Sequence, residues 1–408
     1  MAIKVHEIEL SEEIEPVWGV SGYDGLRVLV RLHGKPIGWV WVDDLRQPAV
    51  SSERLHMVIQ DQLAWELLPV TLLEVTDDTR HDSDQTIPIS IVVCTRNRAD
   101  QLSGCLRALL ALNYPSFELI VVDNAPRDSA TAELVARFPA RYVREERPGL
   151  DWARNRGIAE ATHAIIAFID DDARPDPGWL LALISAFAEP EVMAVTGLVA
   201  PTELETEAQI RFELNYGGMG HGLRRRVINR ASLSGPADLL WASNFGVGAN
   251  MAFRRDIFAS VGLFDVALDV GTPSGGCGDV EMLHRIVARG HTLVYEPQAL
   301  VWHTHRRDAA SLRRLMVDNG RGFGSYLLTC ARNRTLSRPA ILRFAVRQWL
   351  CWWLLRRLLR PRRFPRHLIA LELAGALRSP VAYRAAQNRA RQIARNRHAY
   401  ARGGGVMS

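Results

Sequence analysis

The sequence predicts an α/β fold with a mostly parallel sheet, preceded by a small β-rich unit and followed by a helical extension. Three observations carry this. From Ile87 onward, apolar β-branched runs alternate with amphipathic helical stretches roughly every 20 to 30 residues, the rhythm of right-handed parallel crossovers. Polar side chains cluster where those apolar runs stop. The 408-residue chain is 48% hydrophobic and 23% charged, enough for a sizeable core in two or three domains.

Residues 1–86 read as the first unit. RVLVRL (27–32) and IGWVWV (37–42), joined by HGKP, predict a β-hairpin or meander. A helix is expected from Ser52 to Leu68, with Ser51 or Ser52 as cap and Glu53 in its first turn. The polar TDDTRHDSDQT (76–86) is a linker by composition. No catalytic constellation is visible, so an accessory or interaction role is expected.

Residues 87–320 form the α/β unit. PISIVVC reads as a buried strand, 99–112 as a helix, and FELIVVDNAP (117–126) as a strand stopped by Asp123, Asn124 and Pro126. A helix over 129–138 and a strand over 140–146 follow, then PGLDWARNRG ahead of another helix. Ala164 to Ile169 is a buried strand that ends in Asp170, Asp171 and Asp172, and Pro175 and Pro177 turn the chain before a helix near Trp179. Three adjacent carboxylates repel one another. They make either a solvated acidic turn or a site for a divalent cation carrying phosphates.

Four polar clusters lie at strand ends or in loops: Thr95, Arg96 and Asn97; Asp123 and Asn124; Arg154 and Asn155; and Asp170 to Asp172. Singly, each reads as turn chemistry or surface charge. In a parallel sheet they converge on one edge, where ligands bind, and together they predict a nucleotide site.

VVCTRNR, VVDNA, GLDWARNRG and FIDDDARPDPGWL, in this order, resemble the family 2 glycosyltransferases, inverting enzymes of the GT-A fold that use nucleotide-diphosphate sugars. The resemblance extends from about Ile87 to Asp308. It implies that Asp123 contacts the base, that the Thr95–Asn97 loop lies beside the nucleotide, and that Asp170 and Asp172 serve the ribose and the metal. GVGANMAFRRDIF (246–258) is similar to the family's glycine-rich strand, with Asn250 as a contact. GTPSGGCG then delivers Asp279 to the start of a helix, where the family pattern places its base. That carboxylate takes the acceptor hydroxyl proton as the oxygen attacks the anomeric carbon opposite the leaving diphosphate. Many members read Glu-Asp where this chain reads Gly278-Asp279. Glu281 is the alternative base, and helix capping is the other role open to Asp279.

LVYEPQALVWHTHRRD (293–308) reads as a strand pair leading to His303 and His305, which share one face. The resemblance points to His303 as the third ligand of Mn2+ or Mg2+, with His305, Arg306 or Arg307 toward the diphosphate. The Gln-x-x-Arg-Trp signature of processive synthases is absent, so single-sugar addition to a hydroxyl acceptor, glycan or lipid-linked, is expected. Two rivals stand beside this reading. One is a module that binds a nucleotide sugar without transferring it. The other is a sugar-nucleotide pyrophosphorylase, whose glycine-rich loop with a basic residue is missing from CTRNRAD.

The extension, 321–408, leaves the α/β rhythm. Residues 341–397 hold fourteen arginines and one acid, Glu372, a net +13 that leaves −8 on the rest of the chain. Trp349, Trp352 and Trp353 sit among leucines and arginines, and Pro361 and Pro365 divide the segment into helices. Two readings are open: an interfacial helix on an anionic membrane, or a helical pair packed on the enzyme with its arginines solvated. No nucleic-acid-binding motif accompanies the charge, so no such partner is expected. Five scattered cysteines, no signal-peptide pattern and no apolar run of spanning length predict a cytoplasmic protein, peripheral on the inner membrane face if the first reading holds.

Overall fold

A computed structural model describes residues 2–74, 87–359 and 364–403; the expected linker at 76–86, Pro361 and the last five residues lie outside them. The first sheet places strand β2 (Gly25–Leu32) between β1 (Ile3–Glu9), parallel to it, and β3 (Lys35–Val42), its hairpin partner. His33 and Gly34 both have positive φ, the two-residue turn that suits the twist of a hairpin. β1 was not anticipated from the sequence. Leu26, Val28 and Val30 point from β2 toward Leu55, Ile59 and Leu63 of helix α1 (Ser52–Glu74).

The other face of β2 carries Arg27, Leu29 and Arg31, and it is seated on the second sheet. Leu29 packs with Leu198, Ala200, Leu300 and Trp302. Arg27 pairs with Glu213 at 3.0 Å, and Arg31 pairs with Asp176 at 2.5 Å. The accessory unit is therefore docked on the strand that leads to His303, with two ion pairs flanking an apolar contact.

The nine-stranded second sheet contains β4 (Ile89–Thr95), β5 (Phe117–Asn124), β6 (Arg141–Glu145), β7 (Ile165–Asp170), β8 (Ala173–Pro175), β9 (Val192–Pro201), β10 (Arg226–Ile228), β11 (Asn250–Arg254) and β12 (Thr292–His303). Its order is β8-β12-β9-β11-β7-β4-β5-β6, with β10 also pairing β12. Strands β4 to β7, β9 and β12 run one way, while β8, β10 and β11 oppose them. Alternate residues separate cleanly into two cores. Ile91, Val93, Val121 and Ala167 face one, and Val92, Ile120, Val122 and Phe168 face the other. That is the two-sided covering expected of an α/β sheet.

Two local expectations are corrected. LDWARNRG lies inside helix α4 (Leu150–Glu160), so Arg154 and Asn155 stand on a helix rather than in a loop. Residues 293–303 form one long strand, because a bulge opposite Gly197 and Leu198 absorbs the extra residues without reversing the chain.

The last helices pack on the α/β core. Helix α5 (Ala309–Asn333) runs through residue 320, the boundary expected from sequence, and lies against α6 (Arg366–Gly403). The two approach closely because Gly320 and Gly375 present only backbone: a Cβ on either would strike the partner's carbonyl. Between them comes a helical rod, Arg338–Phe344 continuing through the π-helical turns of Ala345–Leu355 into Arg356–Leu359. Phe344, Trp349 and Leu354 join the core beside Phe323 and Tyr326. Trp353 donates to Glu372 at 2.9 Å. The packed reading of the tail thus holds for its inner face. Among the described residues, no helix is long and apolar enough to cross a membrane.

Candidate active site

Because β4, β5, β7 and β12 run one way, their carboxyl ends, carrying Thr95, Asp123, Asp170 and His303, lie at one sheet edge. β8 pairs with β12 through Ala173 and His303, which brings the imidazole beside the acids. His303 Nε2 lies 3.2 Å from Asp172 Oδ1. One ligand atom from each of Asp170, Asp172 and His303 falls within 4.8 Å of the others, a spacing that could hold a metal ion. Asp171 is spent elsewhere: it accepts from Thr95 Oγ1 at 2.7 Å and from Arg98 Nη1 at 3.1 Å. Arg98 also reaches Asp172 at 3.2 Å.

Burial, and then the Asp172 charge, push the Asp170 carboxyl up to about 6. Burial works against Asp172 as well, but His303 and Arg98 outweigh it and hold that carboxyl below its ordinary value.

A second acidic group lies around Arg154. Its guanidinium is buried and bonded to Asp151 at 3.0 Å. Burial opposes the arginine's charge, but Asp151, Asp279 and Asp170 together raise its pKa. Asp151 is held well above the carboxylate range by burial and by Asp269. Burial pushes Asp269 up to about 6, against the backbone N–H groups of Asp151 and Leu150 and the charge of Arg154.

Asp279 opens helix α7 (Gly278–Ala288) and is half-buried; it accepts from the Gly248 N–H at 2.7 Å and from the Val280 N–H at 2.9 Å. Glycine is required at both neighbouring positions. A Cβ at 248 would collide with Arg154 and Asp279, and one at 278 would collide with the Asp151 carboxylate. The departure from Glu-Asp at 278–279 thus has a local cause: Asp151 fills the space a side chain would need.

The remaining expected residues divide. Asp123 is fully buried; it accepts from the Tyr142 hydroxyl at 3.0 Å, and its Oδ1 has no partner. Arg96 is exposed. Asn97, in a left-handed conformation, accepts from the Arg127 N–H at 3.0 Å, linking the loops after β4 and β5. Asn155 is not directed at this edge, because its side chain donates to Phe264 O and accepts from Phe264 N–H, at 3.0 and 2.9 Å.

Asn250 is likewise corrected. It is completely buried, accepts from Trp179 Nε1 at 2.9 Å, and donates to the carbonyls of Leu198 and Ala299 at 3.0 and 2.7 Å. It holds the bulge between β9 and β12 and leaves nothing for a ligand. His305 is turned to Glu213 at 3.0 Å, Arg307 pairs with Glu203 and Glu205, and Arg306 is exposed. Glu281, the alternative base, is buried against Arg285. Sequence reasoning missed Arg98, Asp151, Asp269 and Tyr142. The first two stand inside the quoted motifs and were readable there; Asp269 and Tyr142 lie outside and meet the site only through folding.

Residues 90–262 match the glycosyl transferase family 2 model. Glycosyltransferase AglE of Haloferax volcanii is 27% identical over 235 residues, covering 54% of this chain and 68% of that relative. The glucosyl-dolichyl phosphate glucuronosyltransferase of the same organism is 26% identical, covering 53% and 68%. Pre-mycofactocin glycosyltransferase of Mycobacterium tuberculosis is 26% identical, covering 62% of this chain and half of that relative. Among solved structures, the mannosyltransferase PcManGT from Pyrobaculum calidifontis, in complex with GDP-Man and Mn2+, superposes with a TM-score of 0.45 at 18% identity, over 77% of this chain and 94% of that one. A family 2 domain over residues 90–262, and named transferases related along more than half the chain, lead to one assignment: this enzyme is a glycosyltransferase that carries a family 2 domain.

Proposed function

We propose that the enzyme transfers one sugar from a nucleotide-diphosphate donor to a hydroxyl acceptor by direct, inverting displacement. Asp279 is the general base. The observation that carries this is the meeting of Asp279 and the buried Arg154 guanidinium at Gly248, where a Cβ would touch both, with the same arginine acting on Asp170. It ties a half-buried carboxylate able to take a proton to the acidic cluster suited to the leaving group.

Asp170, Asp172 and His303 would hold a divalent ion, Mn2+ or Mg2+. Two carboxylates and an imidazole are an appropriate donor set, and the burial and Asp172 charge that push Asp170 up to about 6 are what a cation would offset. Such an ion supplies charge neutralisation on the leaving diphosphate. The unpartnered Oδ1 of Asp123 offers an acceptor for a base N–H, and Thr95 fixes Asp171 so that its flanking acids stay turned to the donor. Arg96 and Asn97 border the nucleotide. A module that binds a sugar nucleotide without transferring it is disfavoured by the placement of Asp279 against the arginine that also acts on Asp170. Because one relative's name specifies a dolichyl phosphate, a lipid-linked acceptor at the inner membrane face is the first to test. We read residues 1–86 as a buttress of the catalytic unit.

A thermal-shift panel of UDP, GDP, dTDP and ADP, each with Mn2+, Mg2+ or chelator, tests the donor side. A ligand at a hundred times its dissociation constant stabilises the fold by about 2.7 kcal/mol. One nucleotide giving a metal-dependent shift is the expected result; no shift with any of them overturns the reading.

A further inference from the structure

The rod of residues 338–359 has two dissimilar faces. One is buried in the core through Phe344, Trp349 and Leu354. The other returns to solvent at every turn, in steps of four residues in the α-helical part and five through the wider π-helical turns. Along it stand Leu342, Val346, Trp352 and Leu359, which are 65, 44, 53 and 73% exposed. Between them are the exposed arginines Arg338, Arg343, Arg347 and Arg356, the last with its guanidinium 5.9 Å from the centre of the Trp352 ring.

Among the described residues of the rod, no carboxylate interrupts this face. The one acid within 341–397, Glu372, is buried and occupied by Trp353 and Tyr216, at 2.9 and 3.0 Å. It therefore cannot neutralise the surface. Helix α6 repeats the pattern, with Leu377 and Val381 exposed beside Arg378 and Arg384. A face of aliphatic groups, one indole and arginines, without acids, is poorly matched to water alone.

We infer that this outer face docks the enzyme on an anionic lipid surface. Trp352, Leu342, Val346 and Leu359 enter the boundary between headgroups and acyl chains, and the arginines meet lipid phosphates. The inference deepens the proposed membrane-side acceptor and rests on that reading for its purpose, whereas the face itself is read from the rod. A second copy fits less well, since apposed faces would bring guanidinium groups together. A nucleic acid would use the arginines and leave the four exposed apolar side chains unexplained.

The test is flotation of the full-length protein, without donor, on phosphatidylcholine vesicles with or without roughly one-third phosphatidylglycerol. Binding is expected to be at least about tenfold tighter to the anionic vesicles and to weaken in about 0.5 M NaCl. The variant Leu342→Ser/Val346→Ser/Trp352→Ala should lose binding about tenfold or more, as should Arg343→Gln/Arg347→Gln. Both variants should keep the wild-type thermal shift with nucleotide and metal, which reports an intact site. Wild-type protein that stays unbound, or an apolar triple variant that floats like wild type, overturns the inference. Duplex DNA bound in place of vesicles also overturns it. Flotation without any nucleotide-dependent shift supports the surface while removing the donor reading, so the two can fail separately.

Discussion

Two acidic groups act on the Arg154 guanidinium, and their charge is balanced by different means. Asp170, Asp171 and Asp172 lie at the sheet edge, facing His303 and the half-exposed Arg98. Arg98 is half-exposed, so solvent screens its share of that balance. Asp151 and Asp269 are closed off and face Arg154, which is bonded to Asp151. Asp279 lies between these conditions, bound to backbone yet half-open. The difference teaches a division of labour: the edge cluster is built to recruit charge, and the interior cluster is built to keep one arginine fixed.

The largest expected effect breaks the interior group at its open end. Asp279→Asn keeps the bonds to Gly248 and Val280 available to an oxygen but removes the proposed base. Turnover should fall about 100- to 10,000-fold with the nucleotide-dependent thermal shift retained. Wild-type turnover in that variant would take Asp279 out of the chemistry. Asp172→Ala attacks the edge cluster instead. It should abolish most of the metal-dependent part of the shift, about 2.7 kcal/mol at saturating nucleotide, while the small metal-independent part remains. An unchanged metal requirement would move the ligand role off Asp172.

The same contrast explains what was legible in the sequence. Continuous apolar runs foretold β4, β5 and β7, since a strand covered on both faces must be apolar throughout. The edge acids were legible because three carboxylates after such a run have few uses. Asn250 was misread because a polar residue in a glycine-rich stretch resembles a ligand contact, whereas its real partners are carbonyls of β9 and the β12 bulge, remote in sequence. Asn155 was misread for the same reason, its partner Phe264 lying 109 residues away. Asp269 could not have been found from spacing, since it meets Asp151 only through the fold.

Asp269→Asn sharpens the interior half of the comparison. A carboxyl raised from 3.8 to about 6 holds its proton in the folded state where the unfolded chain has released it. Stability should therefore be full below the unfolded value and fall as pH rises across that window, by up to about 3 kcal/mol from this group. Asparagine does not titrate, so urea unfolding of the variant at about pH 4 and pH 6.5 should show a smaller fall than wild type. An equal fall would assign the proton to Asp151 or elsewhere.

Arg98→Met should have the smallest effect and bears on the edge half. The Arg98 side chain is 48% exposed, so solvent screens its bonds to Asp171 and Asp172, and the variant should lose less than about 1 kcal/mol of stability. Its charge nonetheless competes with any cation drawn to Asp172. Removing it should tighten Mn2+ binding a few-fold, read by calorimetry on the nucleotide-free protein. Weaker Mn2+ binding would show that Arg98 positions the acids more than it competes for them, and would make the edge cluster as internally fixed as the one around Arg154.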